Sequence, residues 1–315
     1  MLKHYALLFV LTLAAIYLPA QQRNKSNWID FGGSHASKWL QIAPGKLGPN
    51  ALPVPHMDYA LIGNQSKFDI GAHYHQMPGD TALNSYFNFH WNIAPGRAMV
   101  QIWGQASETF RLSNELRDFR QITPDDEGRV TQVGDLYISA FIQLIKAQKH
   151  LPDVSINFTQ KTTTGENDHG RFTDSPMSYF YLALGKSFNI NSKVIDEIRV
   201  ATLAGFYVWQ TNKVEMSQDE GPVMVAGLQI RRKNISWFNE IGGYTGYGAY
   251  EYLNKIYGEG SVEGYNDPLI YRTRLEYAKK PFSYSAEYQF GFRDYPYQTF
   301  RIGLSYRFWI KPLID

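Results

Sequence analysis

The chain has 315 residues, a formal net charge of +2 and no cysteine. The near-balanced charge offers no basis for nucleic-acid binding or long-range steering, and the missing thiols exclude disulfides, thiolate metal sites and a cysteine nucleophile. Aromatic residues make up 15 %, with 22 Tyr, 19 Phe and 7 Trp, a content suited to the membrane–water boundary, where an amphipathic ring meets both phases.

Residues 1–20 read as a signal peptide for export. Lys3 and His4 form a basic start, Tyr5 to Tyr17 an apolar core, and Leu18-Pro19-Ala20 a small-residue end. The apolar core is too short for the roughly 20 residues that a helical span needs. Residues 21–65 read as an irregular arm. Pro44, Pro49, Pro53 and Pro55 lie close together, with Gly32-Gly33 and Gly45-Lys46-Leu47-Gly48 nearby, and one short strand is expected at Trp28–Phe31. Such an arm could hang in the periplasm or enter a barrel mouth as a plug.

Residues 66–315 carry a different signal. Twelve strands are expected, at 66–76, 82–94, 97–110, 131–146, 152–163, 176–188, 195–210, 221–232, 235–249, 268–278, 282–293 and 298–309. Side chains of a strand alternate between faces. In the last strand Phe300, Ile302, Leu304, Tyr306 and Phe308 alternate with Arg301, Gly303, Ser305 and Arg307. In the strand before it, Tyr284, Ala286, Tyr288, Phe290 and Phe292 alternate with Ser283, Ser285, Glu287, Gln289 and Gly291. Three strands, 97–110, 131–146 and 221–232, are apolar on both faces, which suggests that their inner side packs on a plug or loop.

Lengths and connections separate the alternatives. The strands exceed the five or six residues usual in a soluble sandwich and match a tilted membrane span. With the last strand descending, the inner turns 94–97, 147–151, 189–194, 233–234 and 279–281 are short. Most outer loops (77–81, 111–130, 164–175, 211–220, 250–267 and 294–297) are longer, as outer-membrane barrels require. The expected fold is therefore all-β, a transmembrane antiparallel barrel of about twelve strands. Its setting would be the outer membrane of a Gram-negative bacterium, with the bilayer and lipopolysaccharide as surroundings.

Several residues could carry function. Inward Arg272, Arg274, Glu276, Glu287, Arg301 and Arg307 could line a charged passage that selects anions or zwitterions, or could form cross-strand ion pairs that stiffen the wall. A turn at Lys279-Lys280 would set Arg272 opposite Glu287 and Arg274 opposite Ser285. His73 and His75 share one face of the first strand, with His90 inward on the second. Two such His can share a metal, but the hairpin register sets His90 opposite about Lys67 or Phe68, far from the pair, and no acidic neighbour completes a site, although Asp69 lies on the same face four residues back; polar lumen lining is the simpler reading, and no metal or cofactor is expected. In the loop from Gly165 to Pro176, His169, Ser175, Asp174 and Asp168 hold the ingredients of a lipid-active Ser/His site at the outer lip, although turn-rich loops use the same residues. The mixed-sign run from Arg111 to Val130 reads as a solvated loop.

The stretch Val133-Gly134-Asp135-Leu136-Tyr137, then Leu151-Pro152-Asp153-Val154, then Lys161-Thr162-Thr163-Thr164-Gly165 resembles the outer-membrane channel proteins of the meta-pathway phenol-degradation porin-like family. The shared features are a Gly-Asp strand start, a Pro before the next strand and a Lys-x-x-Thr-Gly-like strand end. Where that family has Pro-Thr-Gly, this chain has Thr163-Thr164-Gly165. Arg171-Phe172-Thr173-Asp174-Ser175-Pro176 is also similar to uncharacterised barrels of Bacteroidota type. The resemblance spans about a fifth of the chain and implies a barrel that passes small, often hydrophobic, solutes, with no catalytic residues. The expected role is a passive channel or facilitated transporter for small-molecule solutes. The alternatives are a lipid-modifying enzyme using His169 and Ser175, or a structural subunit of an envelope complex.

Overall fold

Backbone polar groups cannot be left bare in hydrocarbon, so a strand-built membrane protein must close its sheet. This chain does so. The computed structural model describes residues 42–120, 130–165, 169–173, 175–190, 192–212, 217–246 and 266–311. The expected leader, the strand at Trp28–Phe31, and Asp168 and Asp174 lie outside them.

The strands are β1 (Ser66–Met77), β2 (Asp80–Ala94), β3 (Ala98–Leu112), β4 (Val130–Gln132), β5 (Leu136–Ile145), β6 (Asp153–Lys161) and β7 (Met177–Asn189). They continue as β8 (Glu197–Asn212), β9 (Ser217–Arg232), β10 (Ile235–Tyr244), β11 (Leu269–Lys279), β12 (Phe282–Arg293) and β13 (Gln298–Phe308). One short helix, α1 (Asn114–Arg120), follows β3. Neighbours pair antiparallel, and β13 returns to β1 in a register running from Ser66 opposite Phe308 to Gln76 opposite Gln298.

The expected strand 131–146 is interrupted. Both β4 and β5 pair with β3, so together they make one wall strand broken at Val133–Asp135, and the ring has twelve strands. The break has a steric cause. Opposite Ser85 and Tyr86, β3 places Ser107 and Gln105, leaving Ala106 as a bulge. The Gly134 amide donates to the Gln105 carbonyl at 3.0 Å. A Cβ on Gly134 would stand 2.6 Å from that of Gln105.

The outward face is apolar on every side of the ring. Leu83, Phe158, Val200, Leu275, Tyr284 and Ile302 are all exposed there, Ile302 by 66 %. Aromatic neighbours pack across strands, stacked in Phe180–Phe206 and tilted in Tyr288–Phe300. Such a band meets lipid. No helix among the described residues is long and apolar enough to cross a membrane; the strands do the crossing.

Two expectations need correction. The β11–β12 turn is Lys280-Pro281, with Lys279 opposite Phe282, so Arg274 faces Glu287 and Arg272 faces Gln289. Sliding a hairpin by two residues preserves every side chain's face, so the alternation could not decide between the registers. The expected outer loop 211–220 is largely strand, because β8 and β9 pair as far as Asn212 opposite Ser217. At the opposite rim, Asp196 accepts from the Lys233 amide at 2.6 Å and from Arg232, ties two turns together, and has its carboxyl pKa lowered by those partners.

Candidate functional site

The interior holds the arm. Its described part, from Ile42 to Gln65, lies inside the ring. Leu47, Ala51, Leu52, Val54, Met57, Tyr59 and Ala60 are buried against inward residues of β5 and β7–β11. At one end the Gly48 amide donates to the Gly170 carbonyl, 2.7 Å, in the β6–β7 loop; at the other the Gly96 amide of the β2–β3 turn donates to the Gly63 carbonyl, 3.1 Å. The arm therefore runs the height of the barrel.

A buried main chain with no sheet partner must find its hydrogen bonds elsewhere. Wall side chains supply them. Tyr137 donates to the Asn50 carbonyl at 3.3 Å, Tyr244 to that of Leu52 at 2.8 Å, and Tyr207 to that of Pro53 at 3.1 Å. Arg272 donates to the carbonyls of Val54 and of Pro55, and Arg199 to that of Tyr59 at 2.7 Å. Gln143 donates to the Ala60 carbonyl at 3.0 Å and accepts from the Ile62 amide. Small residues make the room. A Cβ on Gly227 would stand 3.1 Å from Met57 and 3.2 Å from the Tyr59 ring.

The wall has two characters. From β7 to β10 it is aromatic and aliphatic: Tyr179, Tyr181, Leu203, Tyr207, Trp209, Val223, Val225, Phe238 and Tyr244 are buried there. Across the lumen, β11, β12, β13 and β1 are charged. Arg301 pairs with Glu287 and bonds Gln289 at 3.0 Å, and Arg307 pairs with Glu276 at 3.3 Å. Lys67 and His90 both meet Asp69, at 2.9 and 2.8 Å. Arg272 pairs with Glu240 at 3.2 Å, and Arg274 lies 4.3 Å over the Phe238 ring. Arg274, Glu276, Glu287, Arg301, Arg307 and Lys67 are only partly buried, and His56 of the arm is exposed.

At the outer end lies a charge network that the sequence reading missed. Arg171, fully buried, pairs with Asp80 and Glu108. Arg120 of α1 pairs with Asp80 at 3.1 Å and donates to Tyr297 Oη at 2.7 Å. Glu108 also accepts from Asn50 of the arm at 2.8 Å. Thus one ion network joins α1, the β6–β7 loop, the arm and the wall. An inward Glu on a strand was its one sequence signal; Arg171 stood in a loop and gave none.

The remaining predicted residues are dispersed. His73 and His75 face inward with ring centroids 6.2 Å apart. His75 is held by Thr299 at 2.8 Å, while His73 stacks on Tyr86. Among the described residues no three possible ligands gather around a metal position. His169 contacts Gln132 at 2.7 Å and the edge of Phe110. The Ser175 hydroxyl is buried without a partner among the described residues, so the Ser–His hydrogen bond that a nucleophile needs is not made with His169.

No family model and no curated protein matches the chain. Solved structures do. An outer membrane channel from Pseudomonas putida F1 superposes with a TM-score of 0.53 at 9 % identity, over 81 % of this chain and 100 % of that one. The NanC porin gives 0.47 at 10 % identity, over 76 % of this chain and 100 % of that one. The β domain of the Bordetella autotransporter BrkA gives 0.41 at 11 %, over 78 % and 100 %. At these identities the likeness to the Pseudomonas channel is one of architecture, and the chain has the fold of an outer-membrane β-barrel.

Proposed function

We propose that this protein is a passive channel or facilitated transporter for small solutes in the outer membrane of a Gram-negative bacterium, held closed by its own N-terminal arm. One observation carries the reading. The lower arm lies on the aromatic wall and leaves the charged wall opposite, with Arg274, Glu276, Glu287, Arg301 and Arg307, partly open to water. The Arg307 and Glu276 side chains keep about a quarter of their surface and Arg301 14 %, and a lumen built only to be filled would not leave paired charges within reach of water beside a plug. Three Arg against two Glu on one wall favour anions or zwitterions over bare cations. The small hydrophobic solutes implied by the meta-pathway family suit the opposite wall, and lipopolysaccharide would surround the outer rim.

The experiment is conductance in planar lipid bilayers. The intact protein should pass little current. A Gly227→Leu variant, whose side chain occupies the space of Met57 and Tyr59, should release the lower arm and raise conductance several-fold. Glu287→Gln, with Arg301 then unpaired, should shift ion selectivity toward anions. A barrel that inserts yet stays silent in both variants would refute a channel.

A further inference from the structure

The arm is read by its main chain. From Leu52 to Pro55 four consecutive carbonyls accept from Tyr244, Tyr207 and the two terminal nitrogens of Arg272. Among the described residues, no wall group accepts from an amide between Leu52 and His56; the first such bond is from Met57 to Glu240, at 3.3 Å. The site therefore tolerates proline, which has no amide hydrogen. The chain bends at Leu52 and then runs without bend or turn from Pro53 to Asp58, and Val54, ahead of Pro55, is biased to extended backbone.

The side-chain surroundings agree. Tyr207 and Tyr244 stack with centroids 4.2 Å apart, and Trp209 meets both rings edge-on at 5.5 and 5.4 Å. Leu52 and Val54 pack in the same cluster. The Trp209 indole N–H is buried and has no partner among the described residues, a spare donor beside the occupied ones. Aromatic rings with outward-pointing donors, facing an extended chain that offers carbonyls, are the chemistry by which proline-rich peptides are recognised.

We infer that the aromatic wall is a binding site for extended, proline-rich oligopeptides, and that the arm is its built-in occupant. This names a ligand class for the lumen and rests on the reading of that lumen as a passage.

Gly63 and Asn64 are exposed, and a Cβ on Gly63 would touch nothing within 4 Å. A site-specific protease sequence inserted between them in the full chain lets the arm be cut after folding, so that only non-covalent contacts retain it. A fluorescent peptide of residues 47–62 then reports exchange. An unlabelled Ala-Pro repeat peptide should displace it at concentrations about tenfold or more below a Gly-Ser peptide of equal length, because its backbone is already extended. Tyr207→Phe and Tyr244→Phe should each weaken the Ala-Pro peptide by about two- to tenfold, the loss of one hydrogen bond. Equal potency of the two peptides, an arm that never exchanges, or no effect of either Tyr substitution would overturn the site. Conductance of the same cut protein keeps the two readings apart. Displacement without current removes the passage and leaves the peptide site; current without displacement does the reverse.

Discussion

Lys161 illustrates how strongly single residues are committed in this interior. Its ammonium is fully buried, 2.7 Å from Asp135 and within 3.0 Å of both the Thr173 hydroxyl and its carbonyl. Removing one partner of a buried pair leaves the other charge without compensation, at a cost of about 3–5 kcal/mol. Lys161→Met should therefore destabilise the barrel by about that amount in urea titrations from lipid vesicles. The double variant with Asp135→Leu should recover most of the loss, since replacing a whole pair with apolar side chains is close to neutral. The lipid face sets the opposite rule. Ile302, near the middle of β13 and highly exposed, should cost about 2–4 kcal/mol as Arg at the bilayer midplane. The same titration checks both substitutions.

At the level of elements, what could be read beforehand depended on period. The twelve wall strands were legible because one face meets lipid and the other does not, so Phe300 to Phe308 alternates without exception. The apolar inner face of β9 (Val223, Val225) already hinted that something packs within the ring. The arm's course was not legible. Its prolines carry no period, and its bonds run to Tyr207, Tyr244 and Arg272, more than a hundred residues away in sequence. The β11–β12 register failed for a related reason, because Arg272 and Arg274 share a face and either could meet Glu287. One prediction belongs here. With Gly227→Leu the arm should become a substrate for added protease near the exposed Gly63-Asn64, while the wall strands stay protected. Mass spectrometry of the limited digest reads the difference; equal protection of the arm in both proteins would count against its release.

For the whole molecule, stability comes from closure and from the lumen filling. The outward band cannot be satisfied by water, so the protein needs detergent or lipid to stay dispersed. Unheated samples in sodium dodecyl sulfate should migrate apart from boiled ones, because the closed ladder survives the detergent until it is heated. A single mobility at all temperatures would argue against a closed ring.

The seam between β1 and β13 sets what this polypeptide can lose. All other wall contacts join segments that are near neighbours along the chain, whereas Ser66 opposite Phe308 joins the first strand to the last. Among the strand pairings that contact closes the largest loop, and it carries the largest entropic cost of any of them. Shortening either terminus by one strand would bare two unsatisfied edges simultaneously, with no partner inside the bilayer for either. Loops that carry no part of the Arg120–Arg171 network can therefore be trimmed or extended with little penalty, but the first and last ribbons are indispensable together.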